Sequence, residues 1–211
     1  MIEELIIRAL CDTLPPEPAD ALFLFGQTED NQESVLVAAQ QLIQRKKTPK
    51  VLFLNTGPIS GYPGFQSWKD ALVSMGVAED PVEPVPLVPA ETDILHTGIE
   101  AESLVAHALK QQYTRIIVSA SPFQQPRAFM TAITAALKIY PELELYSYPG
   151  KALPWKEEVV HSQGKVQAAR AGLVSGEMKR IRNYHEKGDL ASVDDVLVYL
   201  NKRDTGYLQN K

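Results

Sequence analysis

Residues 19–26 read ADALFLFG, one aspartate followed by a continuous apolar run that stops at a glycine. A strand with one face in water alternates apolar and polar residues. A run without alternation therefore marks a strand covered on both faces, as in a parallel sheet. A piece of buried helix can look the same, but the short length and the glycine ending favour a strand. VLFLN at 51–55 and RIIVSAS at 115–121 repeat the pattern, and LELYSY at 143–148 supplies a further strand. VEPVPLVP at 82–89 is extended and alternating; its prolines cannot donate to a ladder and suit only a sheet edge.

Helical patterns fill the gaps. Asp30 with Glu33 marks a helix start ahead of Val35, Ala38, Ala39, Leu42 and Ile43, which share one face. Trp68, Leu72, Val73 and Met75 define the next helix, and Gly76 stops it. Thr97 and Glu100 read as a capping box ahead of Ile99, Leu104, Val105, Ala108 and Leu109. A long helix follows at about 123–139, and Ile2, Leu5, Ile6, Ala9 and Leu10 give a first helix that Pro15-Pro16 ends. Strand and helix alternate four times, which predicts α/β architecture: a doubly wound parallel sheet of five strands with helices on both faces. Right-handed crossovers give it the order 3-2-1-4-5, a Rossmann-like domain over residues 1–150.

Over residues 151–211 the pattern changes. Residues 162–187 read as mostly helical, with Ala168, Ala169, Ala171, Gly172 and Gly176 on a small-residue face. Gly188 ends that helix, and Ser192 caps a last one, SVDDVLVYL. The expectation is a C-terminal helical extension packed on the core or on a second subunit, the latter as a homodimer.

Composition narrows the function classes. A net charge of -5 argues against a general nucleic-acid binder, which presents a basic stripe, and against attachment to anionic lipid. The single cysteine, Cys11, excludes an internal disulfide framework and reads as a small buried hydrophobe. The N-terminal MIEELIIRALC places Glu3 and Glu4 where an export signal carries positive charge, and Arg8 interrupts its apolar stretch. No run reaches the roughly 18 apolar residues of a membrane span, so a cytoplasmic protein without a membrane partner is expected. His96, His107, His161 and His185 show no metal-ligand spacing, so no metal is expected and each reads as ordinary, His96 excepted because it neighbours the expected cleft. Lys179, Arg180 and Arg182 stand among Glu177, Glu186 and Asp189 and read as a solvated helix face.

In such sheets the ligand crevice lies beyond the carboxyl ends of the strands, where the strand order reverses. That places it between Gly26-Gln27-Thr28 and Ser119-Ala120-Ser121, bordered by Asn55-Thr56-Gly57. Gly26 serves either close backbone approach to a ligand or a tight turn. SPFQQPRA at 121–128 is the most informative segment. Ser121 reads as the helix cap, Pro122 as its first position and Gln124 as the third. Free N–H groups at that helix start, with the guanidinium of Arg127, suit a phosphate or carboxylate; the alternative pairs Arg127 with a structural carboxylate such as Glu91. Thr97 and Glu100 invite a catalytic role, but capping accounts for their spacing. No glycine pattern of a P-loop or dinucleotide fingerprint follows the first strand, which disfavours NAD binding and ATP hydrolysis by the usual devices.

The order of these segments resembles the YdcF-like family of SanA and ElyC, a domain of unknown function, over roughly residues 19–150. The resemblance rests on LFG ending at Gly26, NTG at 55–57, Glu91, Thr97 six residues later, and Ser121, Arg127 and Ala128 of SPFQQPRA. His96 stands where the family has asparagine, Ile99 and Glu100 stand for its glutamate and second asparagine, and Gln124 stands for its histidine. The resemblance implies a Rossmann-like fold and a nucleotide-like or phosphorylated ligand, S-adenosylmethionine or a nucleotide among them, held by the residues just named with Gln27 and Thr28. Transferase or hydrolase chemistry would then fall to Glu91 and His96. The other reading is a non-catalytic relative that acts as a binding or assembly module.

Overall fold

The chain forms a parallel sheet because its apolar runs can only be buried on both faces, and that is where they lie. The computed structural model describes residues 2–90, 92–161 and 165–209. Strands β1 (Ala21–Leu24), β2 (Val51–Leu54), β3 (Val82–Val85), β4 (Arg115–Ser119) and β5 (Glu144–Ser147) form one sheet in the order β3-β2-β1-β4-β5. All four pairings are parallel, with Leu22 of β1 opposite Val51 on one side and Ile117 on the other. Every residue of β1, β2 and β5 is buried. β3 carries Pro84 on the edge.

Helices α1 (Ile2–Leu10), α2 (Glu29–Gln44), α3 (Phe65–Ser74), α4 (Thr97–Gln111) and α5 (Gln125–Ile139) complete the Rossmann-like body. α2 packs with α3, and α4 with α5, the two pairs serving crossovers to opposite halves of the sheet. Gly76 ends α3 with a positive φ of 85°, as its place after the helix demands. Among the described residues no helix is long and apolar enough to cross a membrane.

The C-terminal stretch departs from the helical expectation. Residues Glu158–His161 and Val166–Ala169 are strands β6 and β7 of an antiparallel hairpin, and helix α6 begins only at Arg170, running to Glu186. Val159, Val160 and Val166 are β-branched and suit strands, and Val159, Val166 and Ala168 pack with Phe123 and Leu173 in a small apolar cluster of their own. The small-residue face of α6 is not its packed face: Gly172 is exposed, and the buried stripe is Arg170, Leu173, Glu177 and Ile181. The hairpin is pinned to the first turn of α2, where Val160 accepts from Thr28 Oγ1 at 2.7 Å and donates to Asp30 Oδ2 at 2.7 Å. Asp30 therefore lies inside α2, whose N-cap is Thr28. Cys11 is exposed rather than buried, because α1 ends one residue before it.

Helix α7 (Val193–Asp204), started by a capping box of Ser192 and Asp195, closes the β5 edge of its own sheet. An edge strand leaves backbone groups unpaired, and here side chains take them up. Tyr199 donates to Leu143 O and accepts from Leu145 N, Arg203 donates to Leu145 O, and Asp12 accepts from Ser147 N. Asp12 also holds Arg203 through both carboxylate oxygens at 2.7 Å. Val196, Tyr199 and Leu200 join the same apolar core as the sheet.

Tyr199→Phe removes one hydroxyl that serves two buried backbone groups. The expected cost is about 1–3 kcal/mol, seen as a midpoint shift in urea unfolding at unchanged m-value.

Candidate functional site

A cleft of about 750 Å³ opens beyond the carboxyl ends of β1 and β4. The starts of α4 and α5 form one side, and the hairpin, α6 and the turn through Asp189 and Leu190 form the other. Gly26, Gln27, Thr28, His96, Thr97, Gln124 and Arg127 line it, as the switch-point argument locates them. Asn55, Thr56, Gly57 and Ser121 do not. A turn closed by the Ile59–Tyr62 bridge follows β2, so Ser60 and Tyr62 take the wall that residues 55–57 were expected to form. Glu91 lies outside the described residues.

Thr97 and Glu100 are not a capping box. The N-cap of α4 is His96, whose Nδ1 accepts from Ile99 N at 3.4 Å. That leaves Thr97 and Glu100 one turn apart on the face toward the cleft. Thr97 Oγ1 accepts from Arg127 Nη1 at 2.8 Å, and Glu100 Oε1 accepts from Gly26 N at 2.6 Å. The contact also explains the glycine. Gly26 has no positive φ; a Cβ there would sit 3.0 Å from Glu100 Oε1 and 3.5 Å from the Tyr62 ring. The glycine lets the carboxyl of α4 reach the end of β1.

Glu100 is only 4% exposed. Burial raises its pKa from 4.5 to about 7, against the lowering pull of the Gly26 N–H and the charge of Arg127. The Tyr62 hydroxyl beside it is pushed up too, first by burial and then by Glu100. A carboxyl that holds its proton half the time near neutral pH is suited to proton transfer.

At the start of α5 the N-cap is Gln124, with Pro126 just inside. Ser121 therefore does not cap: its hydroxyl donates to Gln27 Oε1 at 2.7 Å. Gln27 Nε2 faces the carbonyls of Phe25 and Gly26 and also Gln124 Oε1 at 2.9 Å. Carbonyls only accept, so this chain of contacts fixes Gln124 with its oxygen inward. Its amide nitrogen has no partner among the described residues. Thr28 lines the cleft, but its hydroxyl already serves Val160.

Arg127 is paired, and with a carboxylate 50 residues further along the chain. Its Nε donates to Glu177 on α6, and Nη2 alone has no partner among the described residues. Glu177 is fully buried and also receives His161 Nε2 at 3.1 Å and Arg180 Nη1. Burial by itself would raise this carboxyl. The charge of Arg127 and the hydrogen bonds from His161 and Arg127 outweigh it and hold the pKa at about 2. The basic cluster on α6 is thus no plain solvated face, since Arg180 lines the cleft and pairs with Glu177. Leu173, Glu177 and Ile181 stand four residues apart, and this spacing is the signal that puts an acid on the buried stripe.

The two carboxyls give opposite pH dependences. Glu177, lowered, contributes stability above pH 4.5 that is lost as pH falls toward 2. Glu100, raised, binds its proton more tightly folded than unfolded, so stability falls as pH rises from 4.5 through 7. Glu100→Gln keeps an acceptor for Gly26 and cannot titrate. Relative to wild type it is expected to gain on the order of 3 kcal/mol between about pH 4.5 and 8, measured by denaturant unfolding at each pH. No family model, curated protein or solved structure matches the chain, which leaves a functional reading to the side chains of the cleft.

Proposed function

We propose that this chain binds a phosphorylated or nucleotide-like small molecule in the cleft, S-adenosylmethionine or a nucleotide being the candidate classes. It acts on that molecule as a hydrolase or transferase, in the manner of a divergent YdcF-like protein. The observation that carries the reading is Glu100: a buried carboxyl with a pKa of about 7, at the mouth of the central strand. The Arg127 charge lies close enough to act on it. Glu100 takes the acid–base work expected of His96, which is occupied as the α4 cap; Glu91 stays outside the described residues. The anion's donors are Arg127 Nη2 and the Gln124 amide nitrogen; the rest of Arg127 holds Glu177 and Thr97 in place. On the acidic charge balance we read the protein as cytoplasmic, with no nucleic-acid partner. A homodimer is not required, because α7 covers its own β5 edge.

The rival reading, a non-catalytic binding or assembly module, draws on one observation: Glu177 already neutralises Arg127. Thermal melting against nucleotides, S-adenosylmethionine and sugar phosphates separates the possibilities. A ligand at 100 times its dissociation constant adds about 2.7 kcal/mol, a rise of roughly 5–10 °C for a chain of this size. Gln124→Ala should weaken that ligand about tenfold, the loss of one hydrogen bond. Glu100→Gln should keep the binding and lose turnover. A flat response of the wild type across the whole panel would end the reading.

A further inference from the structure

We infer that His161 is the proton acceptor of the cleft, held by Glu177 through Nε2 with Nδ1 left open to the ligand. The assignment rests on the phosphorylated-ligand reading above and adds to Glu100 a second group on the opposite wall.

His161 ends β6 and lines the cleft, with 10% of its side chain exposed. Its Nε2 lies 3.1 Å from Glu177 Oε1. Two guanidinium groups, Arg127 and Arg180, bond the same carboxylate and keep it ionised, so Glu177 can only accept. The hydrogen of the contact therefore belongs to Nε2. In a neutral imidazole the other nitrogen then carries a lone pair, and Nδ1 of His161 has no partner among the described residues. The ring is fixed as well as oriented: Phe123 meets it edge to face at 5.1 Å and 87°, and the strand behind it is fastened to Thr28 and Asp30 through Val160.

None of the other histidines both lines the cleft and turns Nε2 to a carboxylate. His96 lines the cleft, but its Nδ1 accepts from the α4 backbone. His107 gives its Nε2 to Glu83 on the edge strand, and His185 Nδ1 contacts Leu190 O. A carboxylate that fixes the tautomer and orientation of an imidazole is a recurring way to make a base from histidine. Arg127 joins the two groups: it bonds Glu177 behind His161 and Thr97 one turn from Glu100.

In the reaction this geometry suits, a water or acceptor hydroxyl gives its proton to His161 Nδ1 as its oxygen bonds to phosphorus. The bond from phosphorus to the leaving oxygen breaks, and that oxygen takes the proton of the Glu100 carboxyl. One proton passing from the imidazolium back to the Glu100 carboxylate restores both groups. His161 acts as the catalytic base, and Glu177 is a positioning residue.

The test uses the full chain with nitrogen-15 in its imidazole rings, the His161 signals being identified by their loss in His161→Asn. Near neutral pH, long-range proton–nitrogen correlation should find Nε2 protonated and Nδ1 bare. Pyrophosphate, the probe anion, should shift Nδ1 of His161 and leave the His107 nitrogens unmoved. Glu177→Asp keeps the charge but draws the carboxylate back by a methylene, and should return His161 to a mixture of tautomers. The wild-type spectrum decides the matter even where that variant folds poorly. A proton on Nδ1, or on both nitrogens, overturns the assignment. So does an Nδ1 that ignores pyrophosphate while the backbone amides of Thr97 and Arg127 respond. If Nδ1 is bare and pyrophosphate moves no cleft signal, the ligand class proposed above fails instead, and the orientation of His161 is upheld.

Discussion

Glu177 sits fully buried on α6 and receives Arg127 from α5, His161 from β6 and Arg180 from its own helix. An isolated carboxylate there would cost several kcal/mol. It is tolerated because two guanidinium groups and an imidazole surround it. Arg127 in turn holds Thr97 at the start of α4. One ionic knot therefore joins four elements around the cleft: the starts of α4 and α5 beside the sheet, and the hairpin with α6 across from them. Remove the carboxylate and two guanidinium groups lose their shared partner; remove Arg127 and α6 loses its tie to the starts of α4 and α5. Single substitutions at the knot act on fold and site together, so the function is better probed at Gln124 and Glu100.

Two carboxyls have opposite environments here, Glu100 in the cleft lining and Glu177 behind His161. Glu177 is surrounded by donors and stays ionised, whereas Glu100 has one backbone N–H and a more distant guanidinium against complete burial, and holds its proton near neutrality. Divergent environments for like groups are what divides acid from base in active sites. Here the division follows from position in the fold. Glu100 lies on the first turns of α4, where the end of β1 leaves room only because residue 26 has no side chain.

The C-terminal stretch has two tasks that composition does not separate. Helix α7 finishes the sheet, with Tyr199, Arg203 and Asp12 taking the free backbone groups of β5. The hairpin and α6 finish the cleft. Edge closure and cleft closure occur at opposite ends of the chain's last 60 or so residues, each through side chains bonding backbone or charge on the first 150.

The sequence by itself determined the sheet. Runs such as LFLF at 22–25 and VLFL at 51–54 have no polar face, so only a doubly covered parallel strand accommodates them, and chirality then orders the strands. The place of the cleft followed too, because it depends on topology alone. The contacts made by its side chains did not. Thr97 and Glu100 at capping spacing look the same whether they bond their own helix or a neighbour, and His96 took the cap that freed them. Nothing local says that Arg127 meets Glu177, 50 residues on, or that His161 arrives from a hairpin whose small residues read as helix. Secondary structure follows from patterns a few residues long. Ion pairs between distant segments follow from where the finished sheet lets those segments fold back, and only the tertiary structure contains that.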